Sequence, residues 1–304
     1  MKRIVIAGGT GFIGKILTKH FTSQGTEVVI LTRRHQVDRD LVRYEKWDGK
    51  SAGAWQNVLN GAESLINLNG KSVDCRYSEA NKQAIYDSRI DATYILGEAL
   101  KGCKHPPAVW INAASATIYR HAEDRDMDEA TGELGTGFSV DVCKKWERTF
   151  FETDTPDVRK VALRIAITLG KRGGALEPLK RLVHFGLGGK QGNGRQYFSW
   201  IHESDVAAIV EWVLGNDQAA GVYNVAAPHP VPNKLFMQLL RREMKVPFGL
   251  PSPEWLLNLG ALLIRTEPEL ILKSRRVVPG RLLNEGYVFN YKRIESAFKS
   301  LVNR

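Results

Sequence analysis

Cysteine is scarce in this chain: three residues in 304, at positions 75, 103 and 143. None stands in a C-x-x-C pair or at a His/Cys metal spacing, so no disulfide framework is expected and no metal is assigned. A reduced, cytoplasmic setting fits that usage. Long apolar runs are missing too. The greasiest stretch, Leu256 to Ile264, is too short to cross a bilayer and is flanked by charge, so no membrane partner is expected. Met1-Lys2-Arg3 leads directly into an apolar segment, so no signal peptide is expected. The formal net charge is +10, yet there is no dense basic tract and no basic-aromatic interleaving. That spread argues against nucleic acid and for an enzyme that handles phosphorylated ligands.

What is present is concentrated at the start. Lys2 to Ala7 is a short apolar run, followed by Gly8-Gly9-Thr10-Gly11-Phe12-Ile13-Gly14 and then by Ile16, Leu17 and Phe21 at helical spacing. The order is buried strand, glycine turn, helix. One glycine permits the sharp turn, one lets backbone approach a pyrophosphate, and one lets the helix pack closely on the sheet. The free N–H groups of the helix start add partial positive charge. Gly8, Thr10, Gly11, Phe12, Ile13 and Gly14 are therefore the expected pyrophosphate cradle of a nicotinamide dinucleotide.

A second strand, Glu27 to Leu31, ends in Thr32-Arg33-Arg34. An NAD site places a carboxylate there for the ribose 2′-hydroxyl, and none is present. Two arginines suit the 2′-phosphate, so NADP is the expected cofactor. A third strand, Tyr44 to Asp48, ends in an acid that either accepts from the adenine amino group or starts a turn before Gly49. A fourth strand exits through Asn67-Leu68-Asn69-Gly70, which in a doubly wound sheet underlies the cofactor's ribose and pyrophosphate. A helix from about Glu79 to Leu100 carries Arg89, which either faces the phosphates or lies on the surface. A fifth strand, Ala108 to Ala114, runs into Ser115-Ala116-Thr117-Ile118-Tyr119.

With that N-terminal glycine motif, this last segment resembles the extended short-chain dehydrogenase/reductase superfamily. Asp87-Ser88-Arg89-Ile90, Cys143-Lys144-Lys145-Trp146-Glu147, Ser199-Trp200-Ile201-His202 and Val277-Val278-Pro279-Gly280-Arg281-Leu282 are similar to one branch, the epimerase family of sugar-nucleotide-epimerase-like proteins. The likeness covers essentially the whole chain. It implies an α/β fold, a Rossmann-type doubly wound parallel sheet with a small, mostly helical C-terminal domain on the substrate side. It further implies that Ser115 contacts the reacting oxygen. The superfamily's Tyr-x-x-x-Lys helix is absent: Val140 falls where the tyrosine is expected and Lys144 where the lysine is expected. Tyr119, the phenol nearest Ser115 in sequence, is then the candidate replacement proton donor, with packing as the alternative role. Free tyrosine titrates near ~10 and needs assistance at neutral pH.

A sixth strand spans Val161 to Gly170, and its exit near Thr168 is expected beside the nicotinamide. A glycine-rich, substrate-side insertion follows at about 171–200, read as a substrate cover or an ordinary connection. Arg195 and His202 are candidate substrate contacts, the histidine more often being structural in such a strand. The expected organisation is a dinucleotide-binding domain over 1–228 and a small C-terminal domain over 229–304. The expected partner is a small-molecule substrate; a homodimer is one candidate assembly, and the sequence leaves the oligomeric state open. Two functions follow: an NADP-dependent oxidoreductase or epimerase acting on a small carbonyl compound or nucleotide-sugar, or an NADPH-binding regulatory protein without turnover.

Overall fold

The computed structural model describes residues 2–257, 267 and 269–302. In chain order the strands are β1 (Arg3–Ala7), β2 (Glu27–Thr32), β3 (Val42–Lys46), β4 (Ser64–Asn67), β5 (Val109–Ser115), β6 (Arg159–Ile165), β7 (Ile167–Leu169), β8 (Tyr197–Phe198), β9 (Trp200–His202), β10 (Gly221–Val225) and β11 (Val231–Pro232). The first helices are α1 (Phe12–Thr22), α2 (Glu79–Lys101), α3 (Phe138–Glu152), α4 (Leu176–His184), α5 (Glu203–Gly215) and α6 (Asn233–Glu243). Seven strands form one sheet in the order β10-β6-β5-β4-β1-β2-β3, every neighbouring pair parallel. The order reverses direction between β1 and β4. This is the doubly wound Rossmann arrangement, and the crevice at the reversal point is where such sheets take ligands.

The strands alternate their side chains between two apolar layers. Ile4, Ile6, Val28, Ile30, Ile111 and Leu163 pack with Leu17 and Phe21 of α1 and Val206, Ile209 and Val213 of α5. On the opposite face Val5, Ala7, Val29, Leu31, Leu65, Trp110 and Ala162 pack with Leu96 and Leu100 of α2 and Phe150 of α3. Burial on both faces explains why these strands read as unbroken apolar runs.

The single sixth strand expected over 161–170 is in fact two. At Ala166 the amide still donates to Val225 of β10, but the next amide, Ile167, donates to Ser199. The chain thereby leaves the large sheet, and β7 pairs with β9. The segment 171–200 contains α4, whose Leu176, Leu179 and Val183 are buried. They share an apolar cluster with Trp200, Phe236, Leu240, Phe298 and Leu301. Beyond β11 the chain is mainly helical: α6, then Glu269–Leu272, Gly280–Asn284 and Ile294–Val302. Of the apolar stretch Leu256 to Ile264, residues 258–264 lie outside the described residues. No helix among the described residues is long and apolar enough to cross a membrane.

Candidate functional site

The glycines divide their tasks. Gly8 has φ +75°, and a side chain there would sit 3.0 Å from the Asn69 backbone, so Gly8 makes the turn. At Gly14 an added Cβ would lie 2.2 Å from the Gly9 carbonyl oxygen, so Gly14 is the close-packing glycine of α1. Gly11 caps α1 and has only the Gly8 oxygen nearby, at 3.7 Å. It leaves open space over the helix start, and the first turn of α1 holds no acid. Free amides and the helix dipole therefore face that space.

A cavity of about 660 Å³ opens here, over the reversal point of the sheet. The predicted residues Gly8, Thr10, Gly11, Thr32, Arg33, Arg34, Leu68, Asn69 and Gly70 all line it. Lys15, Thr18, Lys19, Gln36, Tyr44, Trp47 and Gly49 also line it. Four cations and no carboxylate thus face one space. Arg33 and Arg34 are exposed and form no ion pair with any described residue. Sequence reasoning missed Lys15 and Lys19, although their spacing of four on the helix after the glycine turn places them on one face.

Other predicted cofactor residues support this cavity from behind rather than lining it. Phe12 lies against Gly170, Gly173 and Gly174. Ile13, in the first turn of α1, packs against the core. Asn67 is fully buried: its amide nitrogen donates to Asn112 (2.7 Å) and Thr93 (3.1 Å), and its oxygen accepts from the Asn69 amide (3.0 Å). It holds the β4 exit in shape, and its burial keeps it from a ribose. Asp48 is a turn former: Oδ1 accepts from the amides of Ser51 (2.9 Å) and Lys50 (2.8 Å), bonds that hold its pKa down. Thr168 is buried, with Oγ1 on the Ala166 carbonyl at 3.4 Å. In none of these three does the side chain face the cavity.

A second, small cavity of about 100 Å³ contains Ser115. It is bounded by Tyr77, Arg89, Thr117, Ser139, Cys143 and Trp146, with apolar neighbours. Ser115 Oγ accepts from the Thr117 amide at 3.2 Å, which orients it at the end of β5. Arg89 belongs to this cavity and not to the large one. Its Nη1 donates to the carbonyls of Ile85 (3.0 Å) and Lys71 (3.1 Å), and its guanidinium lies 5.1 Å from the centre of the Trp146 ring.

The face of α3 turned to this cavity carries Ser139, Val142, Cys143 and Trp146. The polar pair four residues apart that meets the cavity is therefore Ser139 and Cys143, one position before Val140 and Lys144. Val140 is buried among Ala116, Ile118 and Tyr119. Lys144 Nζ instead donates to the Gly135 carbonyl at 2.8 Å, which removes it from the catalytic set. Neither a phenol nor an ammonium group reaches the cavity from α3.

Tyr119 does not fill the gap. It is fully buried, its hydroxyl donates to Asn224 Oδ1 (3.0 Å) and accepts from Arg164 Nη1 (2.8 Å). Arg164 in turn makes a bidentate pair with Glu147 at 2.7–2.8 Å. Burial raises the Tyr119 pKa, against the Arg164 charge, and no proton is on offer to a substrate. His202 is likewise structural. It caps α5 through the Ser204 amide (3.0 Å), bonds Ser300 (3.0 Å) and stacks on Tyr291 at 3.8 Å. Burial lowers its pKa to about 4. Arg195 is exposed beside Glu123 (3.4 Å), in a surface groove with Lys234 and Gln238, away from Ser115. No group of three or more metal-ligating side chains occurs among the described residues.

Known proteins agree with this architecture. The NAD dependent epimerase/dehydratase family matches residues 4–144, and a domain of unknown function, DUF1731, matches residues 252–301. Epimerase family protein YfhF of Bacillus subtilis is 33% identical, over 98% of this chain and 97% of its own. The crystal structure of human epimerase family protein SDR39U1 (isoform 2) with NADPH is 26% identical, with a TM-score of 0.87 over 98% of each chain. A nucleoside-diphosphate sugar epimerase from Corynebacterium glutamicum is 28% identical, with a TM-score of 0.78 over 99% of this chain and 58% of that one.

Proposed function

This chain belongs to the epimerase family of extended short-chain dehydrogenase/reductase proteins, and on that premise we propose that it uses NADP(H) to carry out redox chemistry on a small carbonyl compound or nucleotide-linked substrate. The observation that carries the reading is the large cavity with four cations and no acid on its walls. A 2′-phosphate adds about two negative charges, and exposed guanidinium groups with no ion-pair partner among the described residues are suited to receive them. The related human protein was crystallised with NADPH, which supports the same choice. When bound, the cofactor supplies the hydride chemistry. The chain's own part is to cradle the diphosphate on α1, to select the ribose phosphate with Arg33 and Arg34, and to present Ser115 Oγ to the reacting oxygen.

Calorimetry with NADPH and NADH tests the choice. NADPH is expected to bind at least about tenfold tighter, ~1.4 kcal/mol. Arg33→Ala/Arg34→Ala is expected to erase the difference while leaving NADH binding nearly unchanged. Equal affinities in the wild-type protein would refute the assignment.

A second reading is favoured by one observation: Ser139 and Cys143 stand where a phenol and an ammonium would be needed. On that reading the protein binds NADPH as a regulatory signal without turnover. Single-turnover spectroscopy of bound NADPH against carbonyl compounds separates the two readings.

A further inference from the structure

The small cavity contains one phenol, and it comes from an unexpected element. Tyr77 precedes Ser78, the N-cap of α2, in the connection after β4. Its ring packs edge-on to Phe138 with centroids 4.8 Å apart, and its backbone amide donates to Glu267 at 2.8 Å. The hydroxyl reaches Ser139 Oγ at 3.4 Å and shares the cavity with Ser115. The positive charge in this region is also poorly matched. Arg275 has Nε and Nη1 buried with no hydrogen-bond partner among the described residues. Its nearest carboxylate is Glu269, 3.8 Å from Nη2, beyond hydrogen-bonding distance. Arg89 and Arg275 both lie within electrostatic reach of Tyr77 and Cys143. A buried guanidinium with unmet N–H groups is expensive unless an anion forms beside it.

We propose that Tyr77 is the catalytic proton donor of this protein, with Ser115 polarising a substrate carbonyl in the same cavity and with Arg89 and Arg275 stabilising the tyrosinate that remains. This assignment rests on the NADP(H) reading above and adds a direction to it. Burial raises the Tyr77 pKa, the Ser139 contact opposes it, and Glu269, Cys75 and Glu267 add to the rise, so the phenol holds its proton at neutral pH. A protonated phenol serves reduction. Hydride moves from the reduced nicotinamide to the carbonyl carbon, the C=O π pair moves onto oxygen, and that oxygen takes the Tyr77 proton. The dinucleotide is oxidised, the carbonyl becomes an alcohol, and water later returns a proton to Tyr77. The site thus makes the substrate a small carbonyl compound and the protein a reductase.

Two measurements on the full-length protein test this, with Tyr77→Phe as the variant and Tyr94→Phe, at an exposed position, as the control. The first needs no turnover: phenol ionisation is followed by ultraviolet difference absorbance with saturating NADP⁺, whose nicotinamide ring is positive. One phenol transition is expected to shift to lower pH when NADP⁺ binds, and to vanish in Tyr77→Phe but persist in Tyr94→Phe. The second follows NADPH oxidation with butane-2,3-dione and 4-nitrobenzaldehyde. Tyr77→Phe is expected to lower kcat about 10²-fold or more with NADPH affinity unchanged, and to lose the fall in rate at high pH. A threefold change or less in kcat overturns the assignment. Should neither carbonyl be reduced by the wild-type protein, the titration decides alone, and identical titrations of wild type and Tyr77→Phe overturn it. NADPH binding measured by calorimetry stands apart from either result, so failure of Tyr77 is distinguishable from failure of the cofactor reading.

Discussion

Two glycines three residues apart should respond to the same methyl group in opposite ways. At Gly14 an alanine Cβ would meet the Gly9 carbonyl oxygen at 2.2 Å and the Gly9 Cα and carbonyl carbon at 2.5 Å. All are backbone atoms at the centre of the turn and cannot rotate aside. Reaching an ordinary 3.4 Å contact needs about 1.2 Å of movement of α1 away from β1. Overpacking of that kind costs about 1–3 kcal/mol, or roughly 2–4 °C of Tm per kcal/mol. At Gly11 an alanine Cβ has its nearest neighbour at 3.7 Å, and φ is −75°, so the fold accepts it. The net stability change should stay within about 0.5 kcal/mol. Yet that methyl points into the space where a diphosphate must approach the backbone, so NADPH affinity should fall more than about tenfold, ~1.4 kcal/mol. Urea denaturation without cofactor, paired with calorimetric NADPH titration, separates the two. The reasoning fails if Gly11→Ala binds NADPH as the wild type does, or if Gly14→Ala is as stable as the wild type.

Other expectations concern the buried polar groups. Tyr119→Phe strands Arg164 Nη1 and Asn224 Oδ1 and should cost about 1–3 kcal/mol of stability without altering NADPH affinity. Glu147→Ala leaves a buried guanidinium without its partner and should cost about 3–5 kcal/mol, measured by the same denaturation series. His202 is held neutral, with its pKa lowered to about 4 from 6.5. Below pH 6.5 the unfolded chain binds a proton that the folded chain refuses, so stability should fall as pH drops from 6.5 towards 4 and level off below that. The loss is of order 3 kcal/mol, and His202→Asn should flatten that part of the curve; an unchanged slope would exclude His202 as its source.

The large sheet was legible because its inner strands carry the mark of two-sided burial, which edge strand β3 lacks. The run Ile4 to Ala7 is buried throughout, and β2 is buried along its whole length. The glycine turn was legible because its steric demands leave few residue types able to serve. The α3 face was harder. Lys144 and Val140 match the expected spacing in sequence, but Trp146 and Phe150 are the residues that orient the helix, and their burial turns Ser139 and Cys143 towards the cavity. The break at Ala166 was hidden because both β6 and β7 are apolar; only the change of hydrogen-bond partner distinguishes them. The roles of Tyr119 and His202 stayed open in the sequence for a shared reason. A polar side chain near a strand end looks available in sequence, and only the folded chain reveals that Arg164, Asn224, Ser204 and Ser300 have already claimed it. Tyr77 had no signal at all, since a connection before a helix cap has no periodicity to read.

The apolar cluster that joins α4 and Trp200 to Phe236, Leu240 and Phe298 has an evolutionary corollary. Its two contributing stretches are separated by α5 and β10, which belong to the large sheet's own layers. Any inherited change in the shape of one stretch must be met by a matching change in the other, which is distant in the sequence. Recombination near residue 228 would mate unrelated halves of that seam. Grafting a relative's outer lobe onto this chain should therefore succeed only when both stretches travel together.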